Sequence, residues 1–350
     1  MTSGDNVYIP LLPLPRGVRE CLPIYAKLIR EGEIRASNGS EALCLSWLLQ
    51  RRVEEGSVVR IEELYPAPNL ARVYEGPLQL LTEGWPTPLL KISGPPREAY
   101  AKLEWYNPFS FSIKDRTVYA LLRSVEGERL VEVSSGNVAV AMGALGNVMG
   151  KRVKIYIPSA GSYVAPLLDV LGVEHQILDV TLTVEALEHL EKDIREGAVH
   201  PNQFNNDANF VAHVRTAAEA DWQLAQVGKR PTHVVAGIGT SGHAAALGFY
   251  FGVKYGAKLI AVEPKDWIPG IRRVESGMKW IHWVDAAVVE VSLREAMEGV
   301  REFARRYGLL IGPSAGAVYA AYKRMEEEGV YLMVFPDNLL KYVPILDKLP

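Results

Sequence analysis

"HVVAGIGTSGHAAALGFYF", residues 233–251, changes character twice within 19 positions. A β-branched run ends at Gly237, "GIGTSGH" (237–243) turns, and small and aromatic residues then follow in a helix-forming stretch. Glycines at 237, 239 and 242 let the backbone turn tightly and approach a ligand, while the free N–H groups of a helix start attract an anion. The plain alternative is a tight turn with no ligand. A third reading is a nicotinamide dinucleotide site: residues 237–242 satisfy G-x-G-x-x-G, and Glu263 ends the next strand 21 residues beyond Gly242. Against it, the motif lies two thirds of the way along the chain, and Thr240, Ser241 and His243 add side-chain donors suited to a terminal phosphate. Residues 231–253 contain no Asp, Glu, Lys or Arg, a length that could cross a bilayer. The polar and glycine interruptions favour a buried strand-turn-helix instead.

The same alternation spreads outward. From about residue 99 onward, "LVEV" (130–133), "VKIYI" (153–157), "KLIAV" (258–262), "AAVVEV" (286–291) and "YLMVF" (331–335) read as strands, each followed by a turn or helix signal. That pattern predicts βαβ units with parallel strands, an α/β fold. "LREAMEGVREFARRYG" (293–308) is an amphipathic helix stopped by Gly308. Residues 1–85 differ: eight prolines, at 10, 13, 15, 23, 66, 68, 77 and then 86 at the junction, break short helical pieces, which predicts an extension packed on the main body.

With 350 residues, 48% hydrophobic and 23% charged, the chain can bury the cores of two domains. Net charge is −3 without a basic block, so nucleic acid is not an expected partner. Cys21 and Cys44 are the only cysteines and lack Cys-His ligand spacing, so neither a disulfide framework nor a structural zinc is expected, and a reducing cytoplasm fits. "MTSGDNVYIPLLPLP" (1–15) has no basic leader and carries Asp5, which argues against a signal peptide; neither a membrane nor a metal is expected. Sparse Gln and Asn beside plentiful Arg and Glu hint at a thermophilic source.

Lys114 stands in "NPFSFSIKDR" (107–116), just ahead of Val118, Leu121, Leu122 and Val125, which form one helix face. A lysine amine at a helix start in a cleft can lose its proton, whereas a free one with a pKa of about 10.4 stays protonated and inert. "VEVSSGNVAVAMG" (131–143) and "LLIGPSAGAVYAA" (309–321) again read as strand, polar turn and helix. Ser134, Ser135, Asn137 and Ser314 could simply cap helices, or they could face a ligand at the carboxyl ends of the strands. A lysine imine with a phosphate-bearing aldehyde cofactor would use all four features together.

"NPFSFSIKDR", "SSGN" (134–137), "GIGTSGH" and "GPSAG" (312–316), in this order, resemble the fold-type II pyridoxal phosphate enzymes, specifically the cysteine synthases. "LEWYNPFSFSIKDR" (103–116), "NQFNNDANFVAH" (202–213), "GTSGHAAALGFY" (239–250) and "IPGIRRVESGMKWI" (268–281) look most like the archaeal O-phosphoserine sulfhydrylases. The resemblance implies two three-layer α/β domains, tryptophan synthase β-subunit-like, with pyridoxal 5'-phosphate in the cleft between them. The large domain would comprise 86–117 and 212–350, the smaller inserted domain 118–211, and the N-terminal extension 1–85. Lys114 would carry the cofactor and shuttle the α-proton. Asn137 would meet the ring hydroxyl oxygen; Gly239, Thr240, Ser241, Gly242 and His243 would wrap the phosphate, and Ser314 would face the pyridine nitrogen. Ser134 and Ser135 would hold the substrate carboxylate, Phe204 would line the pocket, and Arg272 would clamp a substrate phosphate. Val138 departs from the T-S-G-N-T of many cysteine synthases. The implied reaction makes L-cysteine from O-phospho-L-serine and sulfide in a cytoplasmic homodimer. O-acetylserine sulfhydrylase, serine dehydratase and cystathionine β-synthase-like activities would share the same cofactor contacts. A dinucleotide oxidoreductase would leave Lys114 without a task.

Overall fold

The computed structural model describes residues 17–180 and 185–350, so the stretch 1–15, expected to carry no signal peptide, lies outside the described residues. Its strands are β1 (Glu33–Arg35), β2 (Val58–Arg60), β3 (Leu89–Ser93), β4 (Arg97–Leu103), β5 (Arg129–Val133), β6 (Arg152–Pro158), β7 (Glu174–Leu178), β8 (His233–Gly237), β9 (Lys258–Pro264), β10 (Ala286–Val291) and β11 (Gly329–Phe335). Among the described residues they form a six-stranded sheet in the order β10-β9-β8-β11-β4-β3, a three-stranded sheet β5-β6-β7, and the small pair β1-β2. Every pairing within the two larger sheets is parallel except β3 with β4.

Side-chain alternation along the central strands explains the layering. Val234, Ala236, Leu259, Ala261, Leu332 and Val334 point into one core, which also takes up helices Leu22–Glu31, Ala208–Gln226 and Gly242–Tyr255. Val235, Ile260, Val262, Tyr331, Met333 and Phe335 point to the other face, against helices Leu293–Tyr307 and Pro313–Lys323. A strand buried on both faces must be apolar at every position, which is why β8 and β11 read as continuous hydrophobic runs. The three-stranded sheet is likewise sandwiched, with helices Lys114–Arg123 and Asn137–Val148 on one side and Leu190–Arg195 on the other. Both sheets are therefore three-layer α/β, the expected fold class. The expected boundaries 117/118 and 211/212 fall inside helices Lys114–Arg123 and Ala208–Gln226, which pack against each other through Ala120, Leu121, Ala208 and Ala212.

Local signals account for the ends of elements. Ser292 Oγ accepts the Glu295 N–H at 3.3 Å while the Glu295 carboxylate accepts the Ser292 N–H at 2.8 Å, a reciprocal cap, and Gly308 closes the helix at φ +70°. Those contacts hold the Glu295 carboxyl at about 2, mainly through the Ser292 backbone N–H.

Two expectations are corrected. "LLIG" is not a strand: Ile311 makes only an isolated bridge to Asn338, and the Leu310 carbonyl and Gly312 N–H bond to Leu339 and Asp337 in the segment after β11 and not to a strand. Cys21 and Cys44 are joined in a disulfide with Cα atoms 5.5 Å apart. Cys21 precedes helix Leu22–Glu31, Cys44 lies within helix Gly39–Leu49, and both sulfurs face the core that those helices share. Two cysteines 23 positions apart give no sequence signal for that meeting, and the pair holds no free thiol that would point to a reducing compartment. No helix among the described residues is long and apolar enough to cross a membrane.

Candidate active site

A cavity of about 560 Å³ opens between the two larger sheets. Lys114, Ser134, Ser135, Asn137, Phe204, Gly239, Thr240, His243, Arg272 and Ser314 all line it. Of the residues nominated from sequence, Ser241 and Gly242 do not reach its wall and form the turn behind it.

Lys114 is the first residue of its helix, and its neighbours explain the unusual sequence around it. Asp115 accepts the backbone N–H groups of Phe109 at 2.7 Å and Ser110 at 2.8 Å, which folds "NPFSFS" back over the helix start. Ser112 Oγ accepts the Lys114 N–H at 3.1 Å. Arg116 points the opposite way, to Glu104 at 2.8 Å and Glu219 at 2.8 Å, in a buried charge cluster that Lys102 completes. Burial pushes the Lys114 amine down to about 8; the Asp337 carboxylate opposes that shift and the Lys341 ammonium adds to it. Among the described residues Lys114 makes no salt bridge, so its nitrogen is left to the cavity.

The glycine turn is built as a cup. A Cβ on Gly239 would lie 2.6 Å from the Gly270 carbonyl oxygen, and one on Gly242 would lie 2.3 Å from Asn209 Oδ1. Ser241 adopts φ +70°, a left-handed conformation costly for a residue with a side chain. Ser241 Oγ and His243 Nε2 are buried and have no hydrogen-bond partner among the described residues. Thr240 Oγ1 accepts from Asn209 Nδ2 at 2.9 Å, leaving its own hydroxyl hydrogen available. Burial, then the charge of Lys114, lowers the His243 imidazole to about 3, so it serves the site as a neutral ring.

Ser134 Oγ accepts the N–H groups of Gly136 at 3.3 Å and Ala139 at 3.1 Å, so this serine does cap the helix. Asn137 begins that helix, donating through Nδ2 to Asp337 Oδ2 at 2.7 Å and accepting from Lys341 Nζ. Ser314 is buried at the second position of helix Pro313–Lys323, beyond the cap position held by Gly312, and faces the Gly270 turn. Arg272 Nε donates to the Gly239 carbonyl at 3.1 Å, and its guanidinium lies over the Phe204 ring, 4.6 Å from the centroid. Arg272 Nη1 is buried without a partner among the described residues. Burial alone lowers this guanidinium from its ordinary value.

Asp337, Lys341 and Tyr342 escaped the reading of the sequence. "PDNLLKY" (336–342) has no glycine turn, and only the close of β11 brings it beneath Asn137. The dinucleotide alternative fails on Glu263, whose carboxylate accepts the Val274 N–H at 2.7 Å and pins the 265–273 loop instead of facing a ribose.

An anion cup with orphaned buried donors, a depressed lysine and a buried hydroxyl at a helix start fit a phosphate-bearing aldehyde, and the cavity is of the volume small-molecule sites occupy. Comparison with known proteins agrees. The family model "pyridoxal-phosphate dependent enzyme" matches residues 80–337. Cysteine synthase B of Escherichia coli is 30% identical over 261 residues, covering 68% of this chain and 84% of the relative. The cysteine synthase of Aquifex aeolicus is 28% identical over 272 residues, 70% of this chain and 82% of the relative. The crystal structure of the Entamoeba histolytica cysteine synthase (OASS) superimposes with a TM-score of 0.68 at 26% identity, over 81% of this chain and 93% of that one. Lys114, the cup and the fold therefore have one common explanation: the chain belongs to the pyridoxal-phosphate dependent enzymes and is similar to their cysteine synthases.

Proposed function

We propose that this enzyme replaces the phosphate of O-phospho-L-serine with sulfide to make L-cysteine. The observation that carries the substrate is Arg272. A buried guanidinium nitrogen without a partner, held by Gly239 and Phe204, is costly to leave unpaired, and a dianionic leaving group would satisfy it through paired charge-assisted bonds. An acetyl ester offers no such charge.

In this reading Lys114 holds the cofactor, Gly239, Thr240, Ser241, Gly242 and His243 enclose its phosphate, Asn137 meets the ring hydroxyl oxygen, and Ser314 the ring nitrogen. When bound, the cofactor supplies an electron sink for the substrate's Cα. A neutral hydroxyl opposite the ring nitrogen keeps that sink moderate, which suits loss of a β-substituent. Lys114 Nζ takes the Cα proton and later returns it. The Cβ–O bond breaks and phosphate leaves toward Arg272, and the Cβ–S bond forms with sulfide. Ser135 and the helix start at Asn137 receive the substrate carboxylate, with Ser134 acting by holding that turn. The same reading takes 118–211 as an inserted domain on a body formed by 86–117 and 212–350 with 1–85 packed on it, and the chain as a homodimer.

Arg272→Ala tests the substrate. Losing two charge-assisted hydrogen bonds of about 1.5–3 kcal/mol each should cut kcat/KM for phosphoserine by two orders of magnitude or more. Acetylserine turnover should change little. Equal losses on both substrates would defeat the phosphoserine assignment and favour acetylserine.

A further inference from the structure

Neither Asp337 nor Lys341 lines the cavity, yet both grip a residue that does. Asn137 Nδ2 donates to Asp337 Oδ2 at 2.7 Å. Lys341 Nζ donates to Asn137 Oδ1 and, at 2.6 Å, to the Ser110 carbonyl. A carboxylate can only accept and an ammonium can only donate, so the amide has one permitted orientation between them. Tyr342 strengthens the arrangement by donating to Asp337 Oδ2 at 2.6 Å. Asp337 is wholly buried, and it reaches this position because residue 312 is glycine: a Cβ there would lie 2.0 Å from Asp337 Oδ1. The Asn137 amide nitrogen is thus engaged by Asp337 and its oxygen by Lys341, and the Tyr342 hydroxyl, on the cavity wall, also bonds this side chain.

We propose that Asp337 and Lys341 are positioning residues that clamp the Asn137 amide with its nitrogen toward the cofactor, so that a donor and never an acceptor meets the ring hydroxyl oxygen. This rests on the reading of Asn137 as the ring-oxygen contact. The clamp is also a pair of opposite charges beside Lys114. The groups that bear on that amine are Asp337, Lys341 and Glu104, with His213 and His243 on the helices behind it. Asp115 also faces Lys341, and Tyr163 and Tyr342 face Asp337. Removing one partner therefore has a signed electrostatic effect on Lys114, which a purely structural role would not produce.

The test uses the full-length holoenzyme and its apoprotein with Asn137→Ala, Lys341→Met, Lys341→Gln and Asp337→Asn. Two quantities are read: the Kd for pyridoxal phosphate, and the pH midpoint of the visible absorption of the bound cofactor. Lys341→Met frees the amide to rotate and should weaken binding about tenfold, with the midpoint raised because a cation has gone. Lys341→Gln keeps a donor to Asn137 Oδ1, so binding should stay within about threefold of wild type while the midpoint rises. Asp337→Asn should lower the midpoint because an anion has gone. Midpoints that do not move, or move in the same direction for Lys341→Gln and Asp337→Asn, overturn the clamp. Equal Kd values for Lys341→Met and Lys341→Gln do the same. If Lys341→Met does not fold, the opposed midpoints of the other two variants decide the matter. Asn137→Ala separates the two levels: wild-type behaviour there overturns the ring contact itself, whereas an altered Asn137→Ala beside silent clamp variants overturns the clamp alone.

Discussion

If Lys114 bonds the cofactor as proposed, its charge state sets when it can do so, and pH is the perturbation that exposes it. With the amine at about 8 instead of 10.5, about 9% is neutral at pH 7, against about 0.03% for an ordinary lysine, a ratio of roughly 300. The difference corresponds to about 3 kcal/mol, and burial is its main source, with Lys341 adding to it and Asp337 opposing it. Capture of pyridoxal phosphate by the apoprotein should therefore accelerate about tenfold between pH 6 and 7 and level off near pH 8. Stopped-flow absorbance at constant ionic strength measures the rate; borohydride reduction followed by peptide mass analysis identifies the labelled lysine. The linkage has a definite sign as well. Between pH 8 and 10.5 the unfolded chain holds more protons on this residue than the folded one, so the apoprotein should gain stability as pH rises through that window. A capture rate that climbs without a plateau to pH 10, or a label on a different lysine, would refute the assignment.

Further expectations concern the cup, the buried charges and the disulfide. Gly239→Ala forces a Cβ to within 2.6 Å of the Gly270 carbonyl, an overpacking of about 1–3 kcal/mol that should weaken pyridoxal phosphate binding by roughly 5- to 150-fold. Gly252→Ala, whose Cβ would meet only an ordinary contact at 3.6 Å, should bind the cofactor normally and melt no lower than wild type. Arg116→Met leaves Glu104 buried without its salt-bridge partner while Glu219 keeps Lys102, and urea unfolding should show a loss of about 3–5 kcal/mol. Cys21→Ser opens a loop with a sequence separation of 23, and the chain-entropy model gives a loss of about 3 kcal/mol, measured against wild type by calorimetry without reductant.

Much of this protein is legible in its sequence because the relevant physics is local. A strand buried on both faces must be apolar, so "HVVAG" (233–237) marks β8 at its observed ends, while the β-branched run "AAVVEV" (286–291) marks the half-exposed edge strand β10. A helix start needs its cap and its stop within a few residues, so Ser292, Glu295 and Gly308 declare the helix between them. Lys114 and the glycine cup are visible for the same reason: each is a short segment, and taken together their residue types fit a ligand better than two unrelated turns. By contrast β3 and β4 were missed, since β4 carries Glu98 and Lys102, charges that become acceptable inside only when Lys229 and Glu219 arrive from distant helix and loop positions.

What the sequence alone determined was the chemistry available: one amine at a helix start, an anion cup, and hydroxyls at strand ends, all specified by neighbours along the chain. What the tertiary structure decided was which of these meet and in what charge state. Asp337 lies 200 positions from Asn137 and Lys341 lies 204, and no periodicity encodes that approach. The depression of Lys114, the single orientation of the Asn137 amide and the pairing of Cys21 with Cys44 all depend on burial and on distances of a few ångströms between segments remote in sequence. Desolvation and Coulomb energies act through space, and only the closed fold gives them their values.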